Sequence, residues 1–148
     1  MRDNIRVSVL GDGGWGTALA LVNTRRGNKV CLWSVSPAYA RYLDKRRENS
    51  KFLPGIKLPK TLHITSNLDE AVAMADVIVL AIPTRHLRSV LIRLKKLPYQ
   101  GKIFVSATKG IENKTCLRPS EVVYQVLGRS VRLVVLSGPS HAEEVARK

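Results

Sequence analysis

The chain has 148 residues, the length of one domain of ordinary size and enough to bury a core without disulfides or metals. Its composition, 45% hydrophobic, 24% charged and 5% aromatic, excludes disordered, collagen-like and low-complexity classes. Charge is the unusual quantity: 25 Lys+Arg against 11 Asp+Glu leave a net +14, which keeps polyanions among the possible partners. In chain order, Ile5–Leu10 is a β-branched and leucine run closed by glycine, the pattern of a strand. Gly16–Arg26 carries apolar residues at Ala18, Leu21 and Val22 and reads as a helix stopped by Gly27. Lys29–Ser34 is a second strand, and Ser36 before Pro37 marks a capped helix start running to about Glu48. Pro54, Gly55 and Pro59 predict a loop, followed by a short strand at Leu62–Thr65. Ser66 or Asn67 caps a helix through Met74. Val77–Ile82 is a strand, Thr84 caps a helix to Lys95, and Lys102–Ser106 is a fifth strand. Pro119–Leu127 is a helix, Val131–Leu136 a sixth strand, and a last helix opens near Ser140.

Strands alternating with helices imply βαβ units and a parallel sheet. Val77–Ile82 is continuously apolar rather than alternating, as a strand buried on both faces should be. The expected architecture is a doubly wound α/β domain. The same run is the longest apolar stretch, far below the ~18 residues of a membrane span. Met1–Leu10 carries Arg2 and Arg6 and no apolar segment ahead of a cleavage site, so no signal peptide and a cytoplasmic location are expected. Cys31 and Cys116 lack C-x-x-C spacing and read as reduced thiols. The bases fall in short separated clusters, Arg25–Arg26, Lys45–Arg46–Arg47 and Lys95–Lys96, without interleaved aromatics. That pattern fits a surface for phosphate-bearing small molecules better than a nucleic-acid face.

The first strand runs into Gly11-Asp12-Gly13-Gly14-Trp15-Gly16 and then a helix, which is G-x-G-x-x-G in the context the motif requires. Gly11 would permit the tight turn, Gly13 the approach of backbone to a pyrophosphate, and Gly16 close packing of helix on strand. Amides at the helix start would then meet the phosphates. An NAD site usually offers an acid at the end of the second strand, about 20 residues on, for the ribose 2′-hydroxyl. Here Trp33-Ser34-Val35-Ser36 holds none, so both NAD and NADP stay open. The fifth strand ends in Ser106-Ala107-Thr108-Lys109-Gly110-Ile111-Glu112, which places Lys109 over the crevice, where an ammonium pairs with phosphate or polarises a carbonyl. The sixth ends in Ser137-Gly138-Pro139-Ser140-His141-Ala142-Glu143-Glu144, a Gly-Pro turn followed by Ser140 and Glu143 in capping-box spacing. His63, His86 and His141 show no metal-ligand spacing with a cysteine or carboxylate, so no metal is assigned. No nucleophile elbow is present for a Ser–His–Asp triad.

Gly11-Asp12-Gly13-Gly14-Trp15-Gly16-Thr17-Ala18-Leu19-Ala20 resembles the G-x-G-x-W-G-T-A-L-A signature of the bacterial NAD(P)-dependent glycerol-3-phosphate dehydrogenases. Phe52-Leu53-Pro54-Gly55 with Leu58-Pro59, Ala81-Ile82-Pro83-Thr84, Ala107–Glu112 and Ser137–Val145 agree in order, so the resemblance covers nearly the whole chain. It implies a Rossmann-type dinucleotide-binding domain and hydride transfer between NAD(P)H and dihydroxyacetone phosphate, giving sn-glycerol 3-phosphate for glycerophospholipid synthesis. It assigns Gly11, Gly13, Gly14, Trp15, Gly16, Ser36, Phe52, Pro83, Lys109 and Ala142 to the cofactor, and Lys109, Gly138 and Ser140 to the substrate. Pro83 and Thr84 would flank the dinucleotide. Two departures stand out: Asp12 replaces the family's usual alanine, and Val35-Ser36 occupies a place where many members are polar or basic. Members are about twice this long, with a helical second domain bearing the acid–base lysine. Residues 1–148 are therefore expected to be the N-terminal cofactor-binding part, with no catalytic residue of their own, of a protein that forms a homodimer. The alternatives are another NAD(P)-dependent dehydrogenase on the same framework, or a non-catalytic dinucleotide- or nucleic-acid-binding module.

Overall fold

In the computed structural model, which describes residues 4–138 and 140–147, fourteen elements follow in chain order. They are β1 (Arg6–Leu10), α1 (Gly14–Arg25), β2 (Lys29–Trp33), α2 (Pro37–Arg46), β3 (Glu48–Asn49), β4 (Leu53–Lys57) and β5 (His63–Thr65). Then come α3 (Leu68–Ala73), β6 (Val77–Leu80), α4 (Thr84–Leu94), β7 (Ile103–Ser106), α5 (Pro119–Leu127), β8 (Arg132–Val135) and α6 (Ala142–Arg147). Six strands form one parallel sheet in the order β5-β2-β1-β6-β7-β8. The strand alternation splits their side chains between two cores. Val7, Val9, Val30, Leu32 and Val79 face α1, α2 and α6, where they meet Leu19, Leu21, Leu43 and Ala146. Leu10, Cys31, Trp33, Ile78, Leu80 and Phe104 face α3, α4 and α5, against Val72, Leu87, Leu91 and Val123. The one buried polar side chain on the inner strand β1, Ser8, donates to the Ala71 carbonyl at 2.6 Å. A sheet covered on both faces is the doubly wound architecture expected from the sequence.

The winding of the sheet reverses between β1 and β6, while every strand keeps the same direction. From β1 the sheet grows through β2 to β5 on one side, and from β6 through β7 to β8 on the other. The loops leaving the carboxyl ends of β1 and β6 therefore diverge, opening the crevice where such sheets bind ligands.

Four local expectations need correction. The stretch around Pro54 and Gly55 is not an open loop but an antiparallel hairpin of β3 and β4, pairing Glu48 with Lys57 and Asn49 with Leu53. Proline is tolerated because this two-stranded edge does not need its N–H. Glu48 secures the hairpin through Lys57 Nζ at 2.6 Å and the Gly55 amide at 3.2 Å, which hold its carboxyl below the ordinary range. Helix α1 starts at Gly14, earlier than glycine's poor propensity predicts, because tertiary contacts fix it there. Thr84 is the first residue of α4 rather than its cap, which is Pro83. At α6 the Val145 amide donates to the His141 carbonyl at 3.0 Å, so His141 rather than Ser140 precedes the helix, which begins at Ala142. The Ser140–Glu143 capping box does not form: Ser140 Oγ donates to the Gly138 carbonyl at 3.2 Å and Glu143 faces His141 at 3.2 Å. The turn expected at Gly138-Pro139 includes Pro139, which lies outside the described residues, as does Lys148. Ser36 and Asn67 do cap α2 and α3, accepting from the Tyr39 amide and from the Asp69 and Glu70 amides.

Candidate functional site

The glycine turn sits at the switch point, pinned from both sides. The Gly11 amide donates to the Trp33 carbonyl at the end of β2 (3.1 Å), and the Ala81 amide just past β6 donates to the Leu10 carbonyl (2.9 Å). Gly11 has φ +121°, and a Cβ there would lie 2.4 Å from the Ala81 carbonyl oxygen. A Cβ on Gly16 would lie 1.9 Å from the Gly11 carbonyl oxygen and 3.3 Å from Ala81 Cβ, so helix and strand approach as closely as glycine allows. On Gly14 it would meet the Phe52 carbonyl oxygen at 2.6 Å.

Gly13 differs from these three. Its φ of −68° and ψ of 177° suit any residue, and a Cβ would meet nothing within 4 Å. No contact within the protein demands glycine there. Just beyond it, α1 begins with no side-chain cap and no acidic residue in its first turn. Its leading amides thus point out beside an open space, at the positive end of a twelve-residue helix. A diphosphate fits those donors and that space.

One residue that sequence reading missed organises this turn. Asn49, in the unexpected hairpin, is fully buried and uses its whole amide. Nδ2 donates to the Asp12 carbonyl and to Thr17 Oγ1, both at 2.8 Å; Oδ1 accepts from Tyr39 Oη at 2.6 Å and the Phe52 amide at 3.2 Å. Glycine loop, α1, α2 and hairpin meet at this side chain. Nothing in a single sequence distinguishes it from a surface asparagine in a turn.

The expected site residues divide between two clefts joined by the glycine turn. One, of about 680 Å³, is lined by Trp15, Ser106, Thr108, Lys109, Gly138 and Ser140, among others. Lys109 Nζ donates to the Ser140 carbonyl at 3.0 Å and lies 5.4 Å from the Trp15 ring centroid, where cation–π attraction holds it. Its loop is anchored at both ends. Thr108 Oγ1 donates to the Leu80 carbonyl at 3.1 Å, and Glu112 accepts two bonds from the Arg88 guanidinium at 2.8 and 2.7 Å. Arg88 and Thr115 hold the Glu112 carboxyl down at about 2. Thr84, next to Pro83, approaches Gly110 of the same loop, and Ala142 adjoins Gly14.

The second cleft, about 580 Å³, lies where β2 ends and is lined by Val35, Ser36, Tyr39, Tyr42, Lys51 and Phe52, with Asp12. Phe52 stands edge-on to Tyr39 with centroids 6.0 Å apart and is substantially exposed. The Ser36 hydroxyl is engaged as the α2 cap, accepting from the Tyr39 amide at 3.2 Å.

A doubly wound parallel sheet, a glycine turn at its switch point and an uncapped helix start beside open space define a dinucleotide-binding domain of the Rossmann class. Residues 6–148 match the family model described as the N-terminus of NAD-dependent glycerol-3-phosphate dehydrogenase, and the chain belongs to that family. It is 42% identical over 97% of its length to glycerol-3-phosphate dehydrogenase [NAD(P)+] of Chlorobium limicola, and 44% identical over 95% to that of Bacillus subtilis. The crystal structure of the Coxiella burnetii glycerol-3-phosphate dehydrogenase superposes with a TM-score of 0.90 at 35% identity, covering 97% of this chain and 44% of that one. The Saccharomyces cerevisiae enzyme does so with 0.82 at 29% identity, covering 98% and 45%. The chain spans 44% and 41% of the two curated bacterial relatives.

Proposed function

We propose that residues 1–148 are the cofactor-binding part of an oxidoreductase that interconverts dihydroxyacetone phosphate and sn-glycerol 3-phosphate with NAD or NADP, serving glycerophospholipid synthesis. The carrying observation is Gly13: glycine where the protein's own packing requires none, facing open space beside undonated helix amides. Gly11, Gly14, Trp15 and Gly16 shape that diphosphate seat. Ser36 and Phe52 flank the adenosine side, and Pro83, Lys109 and Ala142 the nicotinamide side. A bound nicotinamide supplies the hydride. Lys109, with Gly138 and Ser140, faces the substrate, its ammonium set to attract a phosphate or carbonyl oxygen. No helix among the described residues is long and apolar enough to cross a membrane. Unpaired Cys31 and Cys116 support a reducing, cytoplasmic setting. The exposed Val134, Val135 and Leu136 support association into a homodimer.

Titrating the chain with NADH and with NADPH, following nicotinamide fluorescence, tests the reading. Saturable binding of at least one is expected. A folded chain that binds neither overturns it.

A further inference from the structure

The end of β2 offers no acid to a ribose, yet the cleft at that end holds a carboxylate from another direction. Asp12 lines it together with Val35 and Ser36, and Tyr39, Tyr42 and Phe52 supply its aromatic rings. The side chain is half-buried between Gly11 and Gly13, and its own carbonyl is fixed by Asn49 at 2.8 Å. It does not turn back to cap α1. Its charge reaches the aromatic rings: the Tyr39 hydroxyl is held above its ordinary range, first by burial and next by Asp12. The other charged group on this cleft is Lys51, an exposed side chain on the hairpin turn whose ammonium lies 4.9 Å from the Phe52 ring centroid. The Asp12 carboxylate stands on a turn pinned by Asn49, whereas the Lys51 ammonium is engaged on the exposed ring of Phe52.

We infer that Asp12 is the residue that selects the dinucleotide, accepting hydrogen bonds from the adenosine ribose hydroxyls and repelling a 2′-phosphate, so that the chain prefers NAD(H) to NADP(H). The inference rests on the dinucleotide-binding reading above. The chemistry is that of the acid normally placed at the end of the second strand, supplied here from the first glycine turn. A ribose diol donates two hydrogen bonds to a carboxylate, while a phosphate monoester brings about two like charges against it. The net charge of +14 pulls in the opposite sense, favouring the more anionic NADP(H) at long range. The local effect therefore shows most clearly as a difference between variants, in which that background cancels.

The test measures dissociation constants of the chain for NADH and NADPH, with 5′-AMP and adenosine 2′,5′-bisphosphate as probes of the adenosine half. Wild type, Asp12→Asn and Asp12→Ala are compared, the isosteric amide guarding against a packing artefact. The wild type is expected to favour NADH. Both substitutions should lower the NADH-to-NADPH affinity ratio by about tenfold, the value of one modest charge–charge contact, and should do the same for the two adenosine nucleotides. Added salt should narrow the wild-type ratio more than the Asp12→Ala ratio, since only the wild type has a repulsion to screen. A folded wild type that binds NADH and NADPH, with a ratio unchanged in both variants, overturns the selectivity assignment alone. A folded wild type that binds neither overturns the dinucleotide reading and the inference with it.

Discussion

Asn49 Nδ2 donates to the Asp12 carbonyl at 2.8 Å, joining two residues 37 positions apart and fixing the peptide that leads into Gly13. The same amide satisfies Thr17, Tyr39 and Phe52, so its loss strands several polar groups in a buried place. Each unsatisfied group costs about 1–3 kcal/mol, and partial relaxation brings the expected total for Asn49→Ala to about 2–4 kcal/mol. Denaturant unfolding measures it. Under conditions where Asn49→Ala stays folded, NADH affinity should also fall, because the turn that seats the diphosphate loses its tether. Unchanged stability and affinity together would show the asparagine to be incidental.

The second and third glycines of the G-x-G-x-x-G motif, Gly13 and Gly16, separate binding from folding. Gly16→Ala drives a Cβ to within 1.9 Å of the Gly11 carbonyl, a backbone atom that cannot swing aside. A destabilisation of about 3 kcal/mol or more is expected, read by thermal or denaturant unfolding. In Gly13→Val the Cβ meets no protein atom within 4 Å and the backbone stays allowed, so the variant should unfold like the wild type. Its side chain would instead fill the diphosphate seat, and NADH titration should show affinity down by about a hundredfold or lost. A folded Gly13→Val with wild-type affinity removes the main support for the proposed function.

Those contrasts also show what the sequence made legible. The six sheet strands and their parallel winding were readable because each strand is a short apolar run and each connection carries a helix-forming pattern. Gly11 and Gly16 could be given their roles from the motif, since turn and close packing impose one residue type. The β3–β4 hairpin was not legible, because Pro54 and Gly55 signal a break and the pairing that tolerates them is tertiary. Asn49 was hidden for the same reason: its four partners come from four separate segments. The Ser140–Glu143 box had the right spacing but lost to a helix start one residue later.

Acid should loosen the Lys109 loop. Glu112 titrates at about 2 in the folded chain, held there by Arg88 and Thr115, against about 4.3 for a free glutamate. A depressed carboxylate stabilises the fold fully above its unfolded value and loses that contribution as pH falls through the folded one. The stability curve should therefore be flat above about pH 5 with respect to this group and fall between about 4.5 and 2. Asp76, also at about 2 through Arg6, contributes in the same window and the same direction. Arg88→Met should raise the Glu112 pKa toward 4 and shift the acid transition upward. A far-UV circular dichroism titration of the two proteins decides this, and identical transitions would count against the Arg88–Glu112 tie.

Reduction of a ketone needs the hydride donor and carbonyl carbon held together, with a proton delivered to the developing alkoxide. Among the described residues lining the larger cleft, the cationic groups are Lys109 and Arg118, and Arg118 is paired with Glu121 at 3.2 Å. Lys109 is the better placed of the two, but it already donates to Ser140 at 3.0 Å and leans on Trp15, an arrangement suited to holding an anion. The cleft is open, so water reaches whatever binds there. Residues 1–148, which span 44% of the length of the Chlorobium limicola relative, should bind NADH yet oxidise it with dihydroxyacetone phosphate at a negligible rate. The chain should also self-associate through the exposed Val134, Val135 and Leu136 at the end of the edge strand β8, which sedimentation at increasing concentration will show. Cofactor oxidation by residues 1–148, compared with that by the full-length Bacillus subtilis enzyme, is the deciding measurement. Comparable rates would place the chemistry within this chain and make Lys109 its proton donor, a role that Lys109→Met would then abolish without preventing NADH from binding.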